Sequence, residues 1–402
     1  MPAETNVPAL RPTPDELGLS RYPVDARDQL RAWNAADEYL LAELPEDLYE
    51  RKSDNPIHVV VVNDSWGALV TALCLRLPET VQIHQLSDSY LAQQATRINL
   101  AHNDIPADRV SLLASFDPVP SEIDVLLVKV PKTLALLEDQ LGRLAGQLRP
   151  DTIVIGTGMV SDIHTSTSAA FERLIGPTRT SLARKKARLI YCTPNPALIG
   201  QPPAASSLLS YQVPADVGGA PALTLWQHPG VFSANHLDRG TRLLLQHLPP
   251  LAAGARVLDL GCGNGVLGLA AARTEPSSEV TFVDESYRAI ASARENAEQH
   301  LPGRSMRFLV GDSASLLTED GPERYDVVLL NPPFHDRHAQ STDTAWRMLA
   351  DSRRALRPAG ELYLVGNRHL AYHVAVKRIF GQADVVASDP GFVVLRARRL
   401  AS

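Results

Sequence analysis

Cysteine is scarce in this chain. There are three in 402 residues (Cys74, Cys192, Cys262), with no Cys-x-x-Cys pair and no His/Cys cluster at metal-ligand spacing. That excludes a disulfide framework and a zinc-ribbon or zinc-finger architecture, and we expect no metal. Aromatic residues are also few, at 5%. No apolar run approaches the ~18 residues of a membrane span. The start, Met1-Pro2-Ala3-Glu4-Thr5, lacks a basic region followed by an apolar stretch. We therefore expect neither membrane nor secretion, and a cytoplasmic protein. Positive charge is not in excess either: 39 Lys+Arg against 45 Asp+Glu leave a net charge of −6, which taken alone argues against a nucleic-acid binder. What is present is an ordinary globular balance, 45% hydrophobic and 21% charged, with enough chain for two or three domains.

The charge is uneven. From residue 231 onward 20 basic residues stand against 19 acidic ones, while the first 230 residues hold 19 against 26. Within the acidic part, Arg173, Arg179, Arg184, Lys185, Lys186 and Arg188 form a basic run, which reads either as a solvated helix face or as a phosphate-contacting patch.

Landmarks repeat along the chain. Residues 1–24 are Pro-rich and read as an extended arm, and Asp25 to Leu44 has apolar residues at helical spacing. Ile57–Val62 is a β-branched run followed by Asn63-Asp64-Ser65-Trp66-Gly67 and an apolar helix. Arg256–Leu260 is likewise followed by Gly261-Cys262-Gly263-Asn264-Gly265 and an apolar helix. Ser87-Asp88-Ser89-Tyr90 answers Asp284-Glu285-Ser286-Tyr287, Ile123–Leu127 answers Tyr325–Leu329, Leu148-Arg149-Pro150 answers Leu356-Arg357-Pro358, and Ile153–Gly156 answers Tyr363–Gly366. Landmarks in one order imply two copies of one α/β domain, each with a mostly parallel, doubly wound sheet. Prolines and Gly218-Gly219 mark an irregular linker over 196–235, leaving domains at 25–195 and 236–402.

The second copy carries the chemistry. Its Gly261-x-Gly263-x-Gly265 loop, between strand and helix, lets a ligand approach the main chain and a helix N-terminus. With Gly268 it also satisfies a dinucleotide fingerprint, so the loop alone does not separate a nicotinamide cofactor from another adenosine cofactor. Asp259 and Asn264 are counted with this loop. Asp284, 23 residues after Gly261, ends the next strand where an acid accepts from ribose hydroxyls. Asp312 ends the following strand and is a candidate acceptor for an adenine amine. After the apolar strand Asp326–Leu330 comes Asn331-Pro332-Pro333-Phe334. Two prolines stiffen the backbone and leave carbonyls unclaimed by a ladder, Asn331 adds a side-chain acceptor, and Phe334 adds a flat apolar face. Two acceptors and a stacking plate suit a planar, conjugated amine.

This order of glycine loop, strand-end acid, Gly-Asp and Asn-Pro-Pro-Phe resembles S-adenosylmethionine-dependent methyltransferases acting on a planar nitrogen. More narrowly, it is similar to the bacterial ribosomal RNA guanine-N2 methyltransferases, those of the large subunit above all. Trp346, Gly360-Glu361-Leu362-Tyr363, Asn367-Arg368-His369-Leu370, Gly230-Val231-Phe232-Ser233, Gly176-Pro177-Thr178 and Lys185-Lys186-Ala187-Arg188-Leu189 carry the likeness. The resemblance implies tandem Rossmann-like methyltransferase domains, the first degenerate and given to packing and RNA placement. It implies S-adenosylmethionine as methyl donor, held by Asp259, Gly261, Gly263, Asn264, Gly265, Asp284 and Asp312. It implies as target the N2 amine of a guanine in 23S RNA, met by Asn331, Pro332 and Phe334, with His335, Arg184, Lys185 and Lys186 as expected RNA contacts; a base inside a helix cannot reach such a pocket, so naked or partly assembled RNA is expected. A monomer is expected.

The first copy departs where chemistry would occur. It has one loop glycine, Gly67, beside Trp66, and Lys129-Val130-Pro131-Lys132 stands where the second has Asn331-Pro332-Pro333-Phe334. A lysine there repels a sulfonium and offers no acceptor; Lys129 and Lys132 read as phosphate contacts or as exposed residues. Alternatives at this point are a small-subunit 16S RNA guanine, adenine N6 or a protein glutamine as target, a nicotinamide oxidoreductase, and a non-enzymatic RNA-binding module.

Overall fold

The computed structural model describes residues 12–25, 28–49, 56–201, 208–215, 217, 222–233, 236–333 and 339–400. The chain divides into two compact units between Ser206 and Ser207.

The first unit runs α1 (Ala35–Ala42), β1 (Ile57–Val62), α2 (Ala68–Arg76), β2 (Val81–Ser87), α3 (Tyr90–His102), β3 (Val110–Ala114), β4 (Ile123–Lys129), α4 (Leu134–Leu144), β5 (Leu148–Met159), α5 (Thr165–Leu174), β6 (Thr178–Thr180) and β7 (Ala187–Cys192). The second runs β8 (Leu209–Val213), β9 (Leu223–Gln227), α6 (Arg239–Leu245), β10 (Arg256–Leu260), α7 (Val266–Thr274), β11 (Glu279–Asp284), α8 (Tyr287–His300), β12 (Arg307–Val310), α9 (Ser313–Asp320), β13 (Tyr325–Leu330), α10 (Ala339–Ala355), β14 (Leu356–Asn367), α11 (Tyr372–Phe380), β15 (Asp384–Ser388) and β16 (Phe392–Arg398).

The two main sheets share one topology: β3-β2-β1-β4-β5-β7-β6 and β12-β11-β10-β13-β14-β16-β15. In each, five strands are parallel, the next (β7 or β16) runs antiparallel to them, and the edge strand (β6 or β15) pairs antiparallel with that one and so runs with the five. Central strands covered on both faces need continuous apolar runs; Val59 to Val62 and Val328 to Leu330 are accordingly buried. Strand order reverses between β1 and β4, and between β10 and β13. At such a switch point the carboxyl ends of the strands open a crevice for ligands.

The duplication reaches into the hydrogen bonds. Ser89 and Ser286 cap α3 and α8, accepting from the amides of Ala92 and Ala289. Asn99 on α3 exchanges two bonds with the backbone of Ser20 and donates to the carbonyl of Trp66; Asn296 on α8 does the same with Trp226 and Asn264. The N-terminal arm of the first unit thus takes the place that β9 takes in the second.

Three expectations change. The helix expected from Asp25 starts only at Ala35, because Asn34 accepts from the Ala36 amide and caps it while Asp37 reaches back to the Asn34 amide. The stretch 196–235, read as irregular, contains the β8–β9 hairpin, whose alternating Tyr211, Val213, Leu223 and Leu225 join the second core. The basic run is not one helix face: Arg173 lies in the last turn of α5, Arg179 on β6, Arg188 on β7, and Arg184, Lys185 and Lys186 lie in the turn between those strands.

Candidate functional site

The second switch point collects the motif residues by register. Leu260 pairs with Val283 on one side and Leu330 on the other, so Gly261, Asp284 and Asn331 leave three adjacent strands at one level. Asp312 follows β12, whose last residue pairs with Asp284.

The loop is built around left-handed glycines. Gly263 and Gly265 have φ of +54° and +85°, a region that costs an L side chain about 1–2 kcal/mol. A Cβ on Gly265 would also stand 2.9 Å from Ala293, whereas one on Gly263 would meet none of the described residues within 4 Å, leaving the main chain there open to a ligand. Gly268 completes the fingerprint for a packing reason: its Cβ would lie 2.4 Å from Phe282 beneath α7. Asp284 stiffens the loop, its carboxylate accepting from the Gly263 amide at 2.9 Å and the Ser286 amide at 3.0 Å.

Asp259 lies fully buried under the loop, where Oδ2 accepts from the Gly268 amide at 2.8 Å and Oδ1 has no hydrogen-bond partner among the described residues. Burial pushes its carboxyl up to about 8, against the lowering effect of the Gly268 bond. It holds α7 and leaves one oxygen over. Asn264, expected to face a ligand, instead turns its amide into the hairpin and donates to Tyr211 Oη at 2.9 Å and Gln227 Oε1 at 2.8 Å. Its role is to fasten the loop from behind. Asp312 caps α9, accepting from the Ser315 amide at 2.8 Å.

Across the crevice, Asn331 is half-buried and Pro332 buried. The Asn331 amide nitrogen donates to Thr241 Oγ1 at 2.8 Å, with Asp238 Oδ2 at 3.5 Å, and its buried Oδ1 has no hydrogen-bond partner among the described residues. An orphaned buried acceptor is costly in a folded protein and calls for a donor. Phe334 and His335 lie outside the described residues. Asp238 and Thr241 belong to the site but escaped sequence reasoning; the only signal was an acid three residues before a threonine at a helix start.

At the first switch point the same places are filled. Lys129, level with Asn331 by register, forms a 2.7 Å ion pair with the fully buried Asp37, and its side chain is 13% exposed. This corrects its reading as a phosphate contact or surface residue; Lys132 is exposed. Burial alone would lower the Lys129 ammonium, but Asp37 and Asp64 outweigh it and hold it above its ordinary value. Asn63, where the second loop has Gly261, bonds the Lys129 carbonyl and exchanges two bonds with Gln140. Elsewhere on this unit, Arg184 pairs with Glu43 and Lys185 with Glu38, both well exposed, beside the exposed Lys186. Such surface pairs are worth about 0–1 kcal/mol and hold neither side chain firmly.

No described group of three or more His, Cys, Asp or Glu is placed to hold a metal, and no described helix is long and apolar enough to cross a membrane. Comparison with known proteins matches residues 8–196 to the RLMG N-terminal domain and residues 222–396 to the methyltransferase small domain. Ribosomal RNA large subunit methyltransferase G of Streptomyces griseus is 53% identical over 385 residues, covering 94% of this chain and 96% of its own. The proteins of the same name from Streptomyces avermitilis and Aeromonas salmonicida are 51% and 44% identical over 94% and 95% of this chain, each across 96% of its own length. The fold is shared with the 16S rRNA N2 methyltransferase of T. thermophilus, solved with AdoMet and guanosine: TM-score 0.69 and 23% identity, over 88% of this chain and 91% of that one. By identity sustained over nearly its whole length, the chain belongs to the ribosomal RNA large subunit methyltransferase G family.

Proposed function

We propose that the second unit methylates the exocyclic N2 amine of a guanine in 23S ribosomal RNA, with S-adenosylmethionine as donor, and that the first unit positions the RNA without binding a donor of its own. The observation that carries this is the buried Oδ1 of Asn331, unpartnered among the described residues and level with an open glycine loop and a strand-end acid at the switch point. The residues suit the donor. The open main chain at Gly263, at the start of α7, lets an adenosine-bearing donor approach the backbone, and Asp259 would brace that loop from beneath. Asp284 would accept from its ribose hydroxyls, Gly261 to Gly265 would line it, and Asp312 would meet its adenine. When bound, S-adenosylmethionine supplies an electrophilic methyl group.

The chain's own residues address the nucleophile. A guanine amine is a poor one, because its lone pair is delocalised into the ring. Accepting one N–H at Asn331 Oδ1 and the other at the Pro332 carbonyl favours a pyramidal nitrogen whose lone pair points out of the ring plane. Phe334 stacks on the base and fixes that plane. Holding the reacting atoms about 3–3.5 Å apart and in line supplies much of the acceleration, and the proton leaves to water after transfer. A base inside a helix cannot enter such a site, so the target is single-stranded or flipped out, which favours naked or partly assembled RNA. His335, Arg184, Lys185 and Lys186 are proposed RNA contacts, and the protein is proposed to act as a cytoplasmic monomer.

Tritium transfer from labelled S-adenosylmethionine to large-subunit RNA tests the reading. Asn331→Ala lowers turnover by more than about 100-fold while donor affinity stays within a few-fold. Undiminished turnover, or label appearing only on protein or DNA, refutes it.

A further inference from the structure

The turn at Asn331 does not stand alone. Helix α6 begins with Asp238 as its cap, and Thr241 is its third residue. Asp238 Oδ2 accepts from the Thr241 amide at 2.9 Å and from the Thr241 hydroxyl at 3.2 Å. Thr241 Oγ1 in turn accepts from Asn331 Nδ2 at 2.8 Å. Thr241 is 7% exposed, so water does not compete for its hydroxyl.

The direction of this chain is forced by chemistry. A carboxylate only accepts, and a hydroxyl has a single proton. Once that proton is given to Asp238, Thr241 Oγ1 has only lone pairs to offer. Asn331 must therefore present its NH₂ end to Thr241, and its carbonyl must face the other way. The inverted amide would set its oxygen against two acceptors, Thr241 Oγ1 and the Asp238 carboxylate 3.5 Å away. A free asparagine side chain has two near-equivalent orientations; this one has one.

We propose that Asp238 and Thr241 are positioning residues for methyl transfer: a one-way hydrogen-bond chain that locks the Asn331 amide with its carbonyl toward the amine to be methylated. The proposal rests on the reading of Asn331 given above. The first unit supplies an internal contrast. There α1 is capped by Asn34, its third residue is Asp37, and Asp37 faces Lys129 at the register position of Asn331. The same three places are kept in contact, but by an ion pair that has no acceptor orientation to protect.

The test compares Thr241→Val, Thr241→Ser, Asn331→Ala and the Thr241→Val/Asn331→Ala double variant in the full chain. It reads kcat and KM on large-subunit RNA, the Kd of S-adenosylhomocysteine by calorimetry, and Tm. Thr241→Val lowers kcat about 30-fold, since a displaced reacting group costs up to about 100-fold, with KM and Kd within threefold of the parent. Thr241→Ser, which keeps the hydroxyl, recovers most of that loss, and Thr241→Val adds nothing in the Asn331→Ala background. Unchanged kcat in Thr241→Val beside a large loss in Asn331→Ala overturns the positioning role and leaves the reading of Asn331 standing; unchanged kcat in Asn331→Ala overturns both. A Thr241→Val loss mirrored in Kd, or not rescued by serine, assigns Thr241 to packing and also overturns the role. Should Thr241→Val not fold, Asp238→Asn decides: it keeps the cap but adds a donor that releases the direction of the chain, so kcat falls about tenfold with Kd unchanged. Parent-like kcat in that variant overturns the proposal.

Discussion

The two switch points are built on one plan and finished in opposite ways. In the second, glycines keep the loop open, Asp259 caps α7 from inside the strand, and Asn331 follows β13 with an oxygen unpartnered among the described residues. In the first, Asn63 and Lys129 fill the crevice with side chains bonded to Gln140 and Asp37. The cap on the equivalent helix amide has also moved: Val70 of α2 donates to Asp64, a loop residue, rather than to a strand acid. Burial raises the Asp64 carboxyl to about 6 despite Lys129 nearby. The polar side chains of the first switch point satisfy one another, while Asn331 in the second keeps an oxygen unpartnered among the described residues.

Importing the first unit's residue into the second is the sharpest way to break the comparison. Asn331→Lys places an ammonium where the target amine should dock. Turnover falls by more than about 1,000-fold, and affinity for the sulfonium donor drops about tenfold more than affinity for the neutral S-adenosylhomocysteine, because like charges a few ångströms apart repel. Equal losses for both ligands would contradict the electrostatic part of the account. Next in size is Lys129→Met, which leaves Asp37 and Asp64 buried without their cation. It should destabilise the first unit by about 3–5 kcal/mol in urea unfolding, whereas the Asp37→Leu/Lys129→Met pair should lie close to the parent. A double variant as unstable as the single one would show that the ion pair is more than a filler.

Much of this contrast was legible in the sequence. The repeated landmarks, the Gly261–Gly265 loop against Asn63–Gly67, and Asn331 against Lys129 are all local patterns, and local patterns survive in one dimension. What was not legible depends on partners far along the chain. Asn264 turns to Tyr211 and Gln227, 53 and 37 residues away. Asn331 is oriented by Thr241, 90 residues away. Lys129 is buried only because Asp37 arrives from α1. The hairpin in the supposed linker did leave a signal, the alternation Leu209-x-Tyr211-x-Val213, but the prolines around it outweighed that signal.

Smaller effects refine the picture. Asp259 is raised in the folded state to about 8 from an ordinary 3.8. Its contribution to stability is therefore complete at pH below about 3.8 and is lost as pH rises through about 8. Asp259→Asn keeps an oxygen for the Gly268 amide but has no charge to bury, so the Tm of the variant should gain on the parent as pH is raised from 4 to 8; parallel Tm curves would contradict this. Smallest of all, Arg184→Ala and Lys185→Ala each remove one exposed ion pair and should shift stability by less than about 1 kcal/mol, while weakening RNA binding in a salt-dependent way. RNA affinity that ignores both substitutions would remove these residues from the proposed interface.

The central claim is that only one of the two switch points accepts a methyl donor. Calorimetric titration with S-adenosylhomocysteine tests it directly, using Asp284→Ala in the second unit and its counterpart Ser87→Ala in the first. The account predicts one ligand per chain, lost in Asp284→Ala and retained in Ser87→Ala; two ligands per chain, or binding that survives Asp284→Ala and fails in Ser87→Ala, would contradict it.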